Sequence, residues 1–182
     1  RRPYLGLQYL SAYLKQHGHR VGLVDCQVEP LGASALAERA RRGGYGLVGF
    51  FAIYVNREQL LACVGEIRDR VGVPVVIGGP DCFNDEAYLR AGVDYVVRGE
   101  GEVTLLELVE RIDAGKPVDD VLGLSRLERG ELIRHPDRPF IADVDSLPFP
   151  DRSHYPIHVW HDYMDFNMRK PFATLITSRG CP

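Results

Sequence analysis

Residues 74–102 read PVVIGGPDCFNDEAYLRAGVDYVVRGEGE, and their pattern points to one class of fold. The apolar run at 75–77 lies between a proline and a glycine pair, which predicts a buried strand. Asn84 and Gly92 bracket a short helix, and residues 94–97 predict a second strand. Two short apolar strands joined through a helix are typical of a parallel sheet.

The same alternation continues on both sides of this stretch. Residues 21–25 and 47–53 predict two further apolar strands upstream. Apolar residues at helical spacing predict longer helices over residues 3–18, 34–43, 56–72 and about 105–115. The alternation predicts an α/β domain over residues 1–117, with a flavodoxin-like (Rossmann-like) open parallel sheet and helices on both faces.

After residue 117 the pattern changes. Residues 122–127 and 131–134 flank Glu128-Arg129-Gly130, which predicts a β-hairpin. Prolines recur after it, so we interpret residues 118–150 as a hairpin and a proline-rich linker. Residues 173–177 predict one more strand, which leads to Cys181.

Both ends of the chain suggest a larger protein. The chain opens on a helix, whereas a sheet of this type normally begins with a strand, so we expect a first strand to be missing. In the flavodoxin-like order this strand is central, and its loss would leave two strands unpaired or leave a slot for another segment or chain. We expect residues 151–182 to begin a further, truncated domain.

Composition excludes several classes of protein. The 182 residues are 45% hydrophobic and 26% charged, with a formal charge of −3, which gives no reason to expect nucleic acid or an anionic membrane as a partner. No apolar run approaches the roughly 20 residues that cross a bilayer. The first residues do not resemble a signal peptide, because no apolar stretch follows them. The 4 cysteines are scattered, which favours a reducing, cytoplasmic location.

Ligands of open α/β sheets bind beyond the carboxyl ends of the strands. Four segments of this sequence fall there, namely residues 25–27, 52–55, 78–81 and 98–102. Glycines in two of them would let a broad, flat ligand approach the backbone, because no Cβ stands in the way. Turn geometry alone is the alternative explanation for each glycine taken singly.

A dinucleotide fits this edge poorly. The run from Gly99 to Thr104 has two glycines of a G-x-G-x-x-G pattern, but Thr104 stands where the third belongs. Glu100 and Glu102 would repel a pyrophosphate at the start of this helix. We therefore exclude a dinucleotide as the ligand.

Six segments, in this order, carry a resemblance to a known family. They are Tyr4–Leu10 before Gly18–Val21, Val76–Pro80, Asp94–Glu102, Leu147–Pro150 and Ser178–Pro182. The ordered set resembles the cobalamin-binding domain that precedes the catalytic domain of cobalamin-dependent radical S-adenosylmethionine enzymes. The resemblance implies that residues 1–117 bind cobalamin at the carboxyl edge of the sheet. It also implies a radical S-adenosylmethionine domain downstream, as part of an enzyme that is commonly a methyltransferase.

The resemblance also implies which residues touch the cofactor. The corrin or its nucleotide tail would contact the strand end and the two glycine loops, which supply Ala52, Ile53, Tyr54, Gly78, Gly79, Pro80, Arg98, Gly99, Glu100 and Gly101. Cys181 would be the first cysteine of a C-x-x-x-C-x-x-C loop that holds a [4Fe–4S] cluster. In that family the cluster reduces S-adenosylmethionine, and methylcobalamin commonly supplies a methyl group. Some relatives cyclise or rearrange their substrates instead.

Two features of the family pattern are not found in these 182 residues. The second and third cluster cysteines would follow Pro182, so we expect this chain alone to bind cobalamin without turning over. The D-x-H-x-x-G motif, which provides a lower histidine ligand in some cobalamin proteins, is also absent. Related radical enzymes often lack that motif.

Two other functions stay open. A receiver-type signalling module has the same fold and no cofactor, and it would need acidic residues clustered at the strand ends, where Asp25 and Asp81 are the candidates. A flavin mononucleotide domain would need a Ser/Thr-rich phosphate loop after the first strand.

The remaining metal-binding residue types favour structural roles. His154, His158 and His161 have helical spacing, but Pro156 interrupts the helix, so we interpret the segment as an aromatic packing arm rather than a metal site. Cys26, Cys63 and Cys82 lack C-x-x-C partners and are expected to be small buried hydrophobic residues, with a weaker ligand contact open for Cys26 and Cys82.

Overall fold

The computed structural model describes residues 4–155, 174, 176, 178 and 179. The chain divides into two compact units, one of residues 31–144 and the other of residues 1–30 with residues 145–182. Most of the predicted strand at 173–177 lies outside the described residues, as do Cys181, His158 and His161.

The described residues form five helices and five strands, which alternate as predicted from α2 to β3. The helices are α1 (Leu5–Gln16), α2 (Ala33–Gly43), α3 (Arg57–Arg70), α4 (Asp85–Arg90) and α5 (Gly101–Asp113). The strands are β1 (Val48–Phe51), β2 (Val75–Gly78), β3 (Tyr95–Val97), β4 (Leu124–Glu128) and β5 (Glu131–Arg134). Short 3₁₀ helices span Tyr54–Asn56, Pro80–Asn84 and Val144–Ser146.

The strands of the 31–144 unit form one open, mixed sheet in the order β1-β2-β3-β4-β5. Strands β1, β2 and β3 are parallel, with Val48 opposite Val75 and Val76 opposite Tyr95. The predicted hairpin forms β4 and β5 and adds antiparallel to β3. Its two turn residues both have positive φ (Arg129 50° and Gly130 84°), which suits a tight hairpin turn.

Both faces of the parallel strands are buried under helices. Val75, Ile77 and Val96 pack in one cluster with residues of α2, α3 and α4. The alternate residues Val76 and Val97 pack in a second cluster with Leu108 of α5. Because successive side chains of a strand point to opposite faces, these two clusters place helices on both sides of the sheet. The predicted open α/β sheet of flavodoxin-like type is therefore confirmed.

The predicted strand at residues 21–25 is wrong. Those residues pair with no strand in the described part of the chain, and β1 is the edge strand of the described sheet. An extended segment becomes a strand only when a neighbour satisfies its backbone groups. Here the amide of Asp25 donates instead to the hydroxyl of Tyr155, at 2.7 Å.

The other unit joins α1 to the segment around Asp151. The amide of Asp151 donates to the carbonyl of Gln8 at 3.0 Å. Its carboxylate accepts hydrogen bonds from the side chains of Ser11 and Lys15, each at 2.6 Å. Burial alone would raise the pKa of Asp151, but bonds from Lys15, Ser11 and Ser153 hold that pKa well below its usual range. This carboxylate ties residues more than a hundred positions apart.

Candidate functional site

The loops after β1 and β2 are hydrogen-bonded to each other at the carboxyl end of the sheet. The amide of Ala52 donates to the carbonyl of Gly78 at 2.7 Å, and the amide of Asp81 donates to the carbonyl of Ala52 at 3.2 Å. Gly79 has φ +113°, and a Cβ on it would lie 2.7 Å from the Ala52 oxygen. Glycine is required at position 79 because two loops meet there, which supports turn and packing geometry over ligand access.

A buried carboxylate links these two loops further. Asp81 accepts two hydrogen bonds from Nη2 of Arg57, at 2.8 and 3.0 Å, and one from Nε at 3.1 Å. It also accepts from the Tyr88 hydroxyl at 2.5 Å and from the Asn84 amide at 2.8 Å. Burial would raise the pKa of Asp81, but these three donors together lower it below its ordinary value. Asp81 is therefore a charged residue with its acceptor sites occupied.

Large apolar side chains are exposed beside this network. Tyr54 and Val55 follow β1, Phe83 follows β2, and each is 78% exposed. Ala52, in contrast, is fully buried, and Ile53 is partly buried. Exposed apolar side chains on neighbouring loops form a surface suited to an apolar ligand or partner. The sequence interpretation placed Val55 at the ligand-binding edge without naming it as a cofactor residue, and it missed Phe83, although an apolar ring in the polar segment Asp81–Asp85 could have indicated it.

The loop after β3 is held by the hairpin. The guanidinium of Arg98 donates to the carbonyls of Leu124 (3.1 Å) and His135 (2.5 Å) and to the hydroxyl of Ser125. It also pairs with Asp137 at 2.8 Å. The side chain of Arg98, which the sequence assigned to the ligand, is therefore engaged with the hairpin and the residues that follow it.

The residues after Arg98 present a more open backbone. Gly99 has φ +72°, and a Cβ on it would meet no atom of the described residues within 4 Å. The carboxylate of Glu100 accepts the amide of Ile141 at 2.6 Å, so the segment that follows the hairpin contacts the loop just before α5. Gly101 is the first residue of α5. The carboxyl end of β3 thus combines an open glycine with two side chains fixed by later residues.

A second buried carboxylate fastens the hairpin. Asp85, at the start of α4, accepts Nη2 and Nε of Arg134 at 2.8 and 2.9 Å and the hydroxyl of Ser125 at 2.7 Å. The bonds from Arg134 are the largest influence, and they lower the pKa of Asp85 although burial opposes them. This ion pair attaches β5 to α4.

The structure brings the predicted site residues together at one edge of the sheet. The parallel strands β1, β2 and β3 end side by side. Nine of the ten predicted cofactor residues follow those strand ends, and Gly78 is the last residue of β2. Because Asp81 is buried and paired, it is a poor phosphoacceptor for a receiver domain. Within the described residues no group of three metal-ligating side chains could hold an ion. None of the described helices is long and apolar enough to span a bilayer.

Known proteins resemble this chain in sequence. A family model described as "B12 binding domain" matches residues 3–109. An uncharacterized methyltransferase of Pyrococcus horikoshii is 34% identical over 99% of the chain, which spans 39% of that protein. An anaerobic magnesium-protoporphyrin IX monomethyl ester cyclase of Rubrivivax gelatinosus is 30% identical over 99% of the chain, which spans 33% of that protein. The chain therefore spans about a third of the length of these relatives.

A solved structure shares the fold. The radical S-adenosylmethionine methyltransferase TsrM of Kitasatospora setae, with cobalamin and a [4Fe-4S] cluster bound, has a TM-score of 0.68. The two proteins are 22% identical, and the match covers 75% of this chain and 28% of TsrM. At this level of identity the likeness concerns the fold.

Proposed function

Because this chain belongs to the B12-binding domain family, we propose that it holds cobalamin on the loops that follow β1, β2 and β3. The observation that carries this placement is the exposed apolar surface of Tyr54, Val55 and Phe83, beside the open backbone at Gly99. A corrin is a broad ring with apolar faces, and its burial against exposed apolar side chains is favourable.

The loop residues would serve this ligand in different ways. Tyr54 and Phe83 offer apolar contact area, whereas Gly99 lets an atom of the ligand approach the backbone. Gly78, Gly79 and Pro80 shape the loop, and Ala52 supports it from beneath. When bound, cobalamin supplies a cobalt that can carry a methyl group.

We extend the proposal to the whole protein. It is a radical S-adenosylmethionine methyltransferase in which a further domain binds S-adenosylmethionine and a [4Fe–4S] cluster, with Cys181 as the first cluster thiolate. The similarity to the Pyrococcus horikoshii methyltransferase, which covers 99% of this chain, supports this activity.

A cyclase is the second candidate for the whole protein. The Rubrivivax gelatinosus cyclase is 30% identical, close to the 34% of the methyltransferase relative. Both candidates share the proposed cobalamin site and differ in the substrate of the further domain.

Titration with hydroxocobalamin tests the binding site. We expect the chain to retain the red cofactor through gel filtration, and Tyr54→Ala and Phe83→Ala to weaken binding severalfold because apolar contact area is lost. Phe149→Ala is the matched control, since Phe149 is 94% exposed and belongs to the other unit. A colourless protein peak would contradict the proposed function, and equal weakening by the control would contradict the proposed placement.

A further inference from the structure

Two buried aspartates lie four residues apart, and each faces one arginine. Asp81 pairs with Arg57 and Asp85 pairs with Arg134, and the two carboxylates are 1% and 2% exposed. Their partners differ in position. Arg134 belongs to the hairpin, whereas Arg57 begins α3 directly after the loop that follows β1.

The position of Arg57 connects Asp81 to an exposed ring. The guanidinium carbon of Arg57 lies 5.6 Å from the ring centre of Tyr54 and 5.5 Å from that of Tyr88. These distances fall within the range of cation–π contact. Tyr88 is buried in α4, while Tyr54 is 78% exposed at the strand end. Arg57 therefore links the buried Asp81 carboxylate to Tyr54, which is a candidate contact of the ligand.

Stability by itself is a weak reason for this arrangement. A charged pair withdrawn from water is often no more stabilising than apolar side chains of the same volume. The Asp81 network does, however, define geometry, because its donors come from three elements. They are Arg57 of α3, Asn84 of the 3₁₀ helix and Tyr88 of α4. A carboxylate with several directional bonds permits one arrangement of those elements.

On the basis of the proposed function, we propose that Asp81 is a positioning residue of the cobalamin site. It acts through Arg57 to hold the Tyr54 ring and the loop after β2 at one fixed spacing. A surface ordered before the ligand arrives binds more tightly than one that must be ordered on binding. Asp81 itself is buried and need not touch the cofactor.

Binding measurements on four variants test the proposal. Asp81→Asn and Arg57→Gln should each lower the affinity for hydroxocobalamin about tenfold, a central value for coupled polar pairs. The double variant should bind hydroxocobalamin no more weakly than whichever single variant binds it less tightly, because both substitutions break the same Asp81–Arg57 ion pair. Lys15→Gln is the matched control, since it removes the ammonium group from another largely buried carboxylate, Asp151, which belongs to the other unit and to none of the three loops. It should lower the stability while leaving the affinity within about twofold.

Hydrogen exchange in the absence of cobalamin gives an independent measurement. The amides of Ala52 and Cys82 donate to Gly78 and Gly79, so they report on the two loops. Both amides should exchange faster in Asp81→Asn than in the unaltered chain, and they should keep their original rates in Lys15→Gln.

The outcomes separate this proposal from the proposed function. If the unaltered chain fails to bind hydroxocobalamin, both are overturned. If it binds and folded Asp81→Asn binds equally tightly, the positioning role alone is overturned. Additive losses in the double variant would also overturn that role, because Asp81 would then act independently of Arg57.

Discussion

The loops after β2 and β3 both begin near a glycine of positive φ, yet different neighbours hold them. Gly79 (φ +113°) packs closely against the loop after β1, whereas a Cβ on Gly99 (φ +72°) would contact none of the described residues. In the first loop Asp81 turns inward and binds Arg57. In the second, Arg98 turns to the hairpin and the residues after it.

This difference shows that similar glycine loops have separate structural supports. One loop depends on the adjacent strand end within the parallel sheet. The other depends on residues that come 26 or more positions after Arg98 in the chain, from Leu124 onward. A perturbation of either support should therefore affect one loop more than the other.

The largest expected effect comes from adding a methyl group at Gly79. Gly79→Ala should lower the free energy of unfolding by about 3 kcal/mol, because φ +113° with ψ −178° is a conformation nearly confined to glycine. The new Cβ would also lie 2.7 Å from the Ala52 oxygen. Urea denaturation followed by circular dichroism measures the change.

Gly99→Ala is the matched control for this substitution. It should lower the free energy of unfolding by about 1 kcal/mol, since only the positive φ opposes the methyl group. Equal losses in the two variants would show that the contact with Ala52 does not distinguish the loops.

The next effect concerns the support of the loop after β3. Arg98→Ala should lower the free energy of unfolding by about 2 kcal/mol, because it leaves hairpin acceptors without a charged donor. Arg90→Ala serves as control, since Arg90 forms an exposed pair with Glu86 and the loss of that pair should change the free energy of unfolding by less than about 0.5 kcal/mol. If Arg98→Ala lowers the free energy of unfolding no more than Arg90→Ala does, Arg98 does not support the loop after β3. Urea denaturation at constant pH compares the two variants.

A smaller effect should appear in the pH dependence of stability. Arg134, followed by Ser125 and the amide of Glu86, lowers the pKa of Asp85 in the folded chain. A carboxyl with a lowered folded pKa contributes stability above its unfolded pKa of about 3.9 and loses that contribution as the pH falls toward the folded value. The stability difference between the unaltered chain and Asp85→Asn should therefore be largest near neutral pH and should narrow from about pH 5 downward.

Urea denaturation of both proteins at several pH values checks this prediction. The difference between the proteins isolates Asp85 from the other carboxyl groups. A difference that stays constant down to about pH 3 would show that folding does not lower the pKa of Asp85, and one that widens as the pH falls would contradict the sign.

The smallest effect concerns the thiols. Burial, together with Asp81 and Asp85, raises the pKa of Cys82 in the loop after β2 to about 12, whereas Cys26 is exposed. Because the thiolate is the reactive form, a maleimide at neutral pH should label Cys26 rapidly and Cys82 only after unfolding. Mass mapping of labelled peptides distinguishes the sites. Rapid labelling of Cys82 in the folded chain would show that its loop opens.

Local patterns predicted most of the elements. The apolar runs at 75–77 and 94–97 correspond to β2 and β3, and the turn residues before Glu131 predicted the hairpin. These patterns suffice because alternation of buried residues and turn chemistry act over a few neighbouring positions. The strand predicted at 21–25 was wrong because strand formation requires a partner, which local pattern cannot supply.

The sequence alone determined the class of fold and the family to which the chain belongs, and it predicted the edge of the sheet where a ligand would bind. Only the tertiary structure decided what each loop residue does there. It buried Ala52, turned Arg98 toward the hairpin, paired Asp81 with Arg57 and left Phe83 exposed. Those roles depend on contacts between residues far apart in the chain, and such contacts leave no signal in the spacing of neighbouring residues.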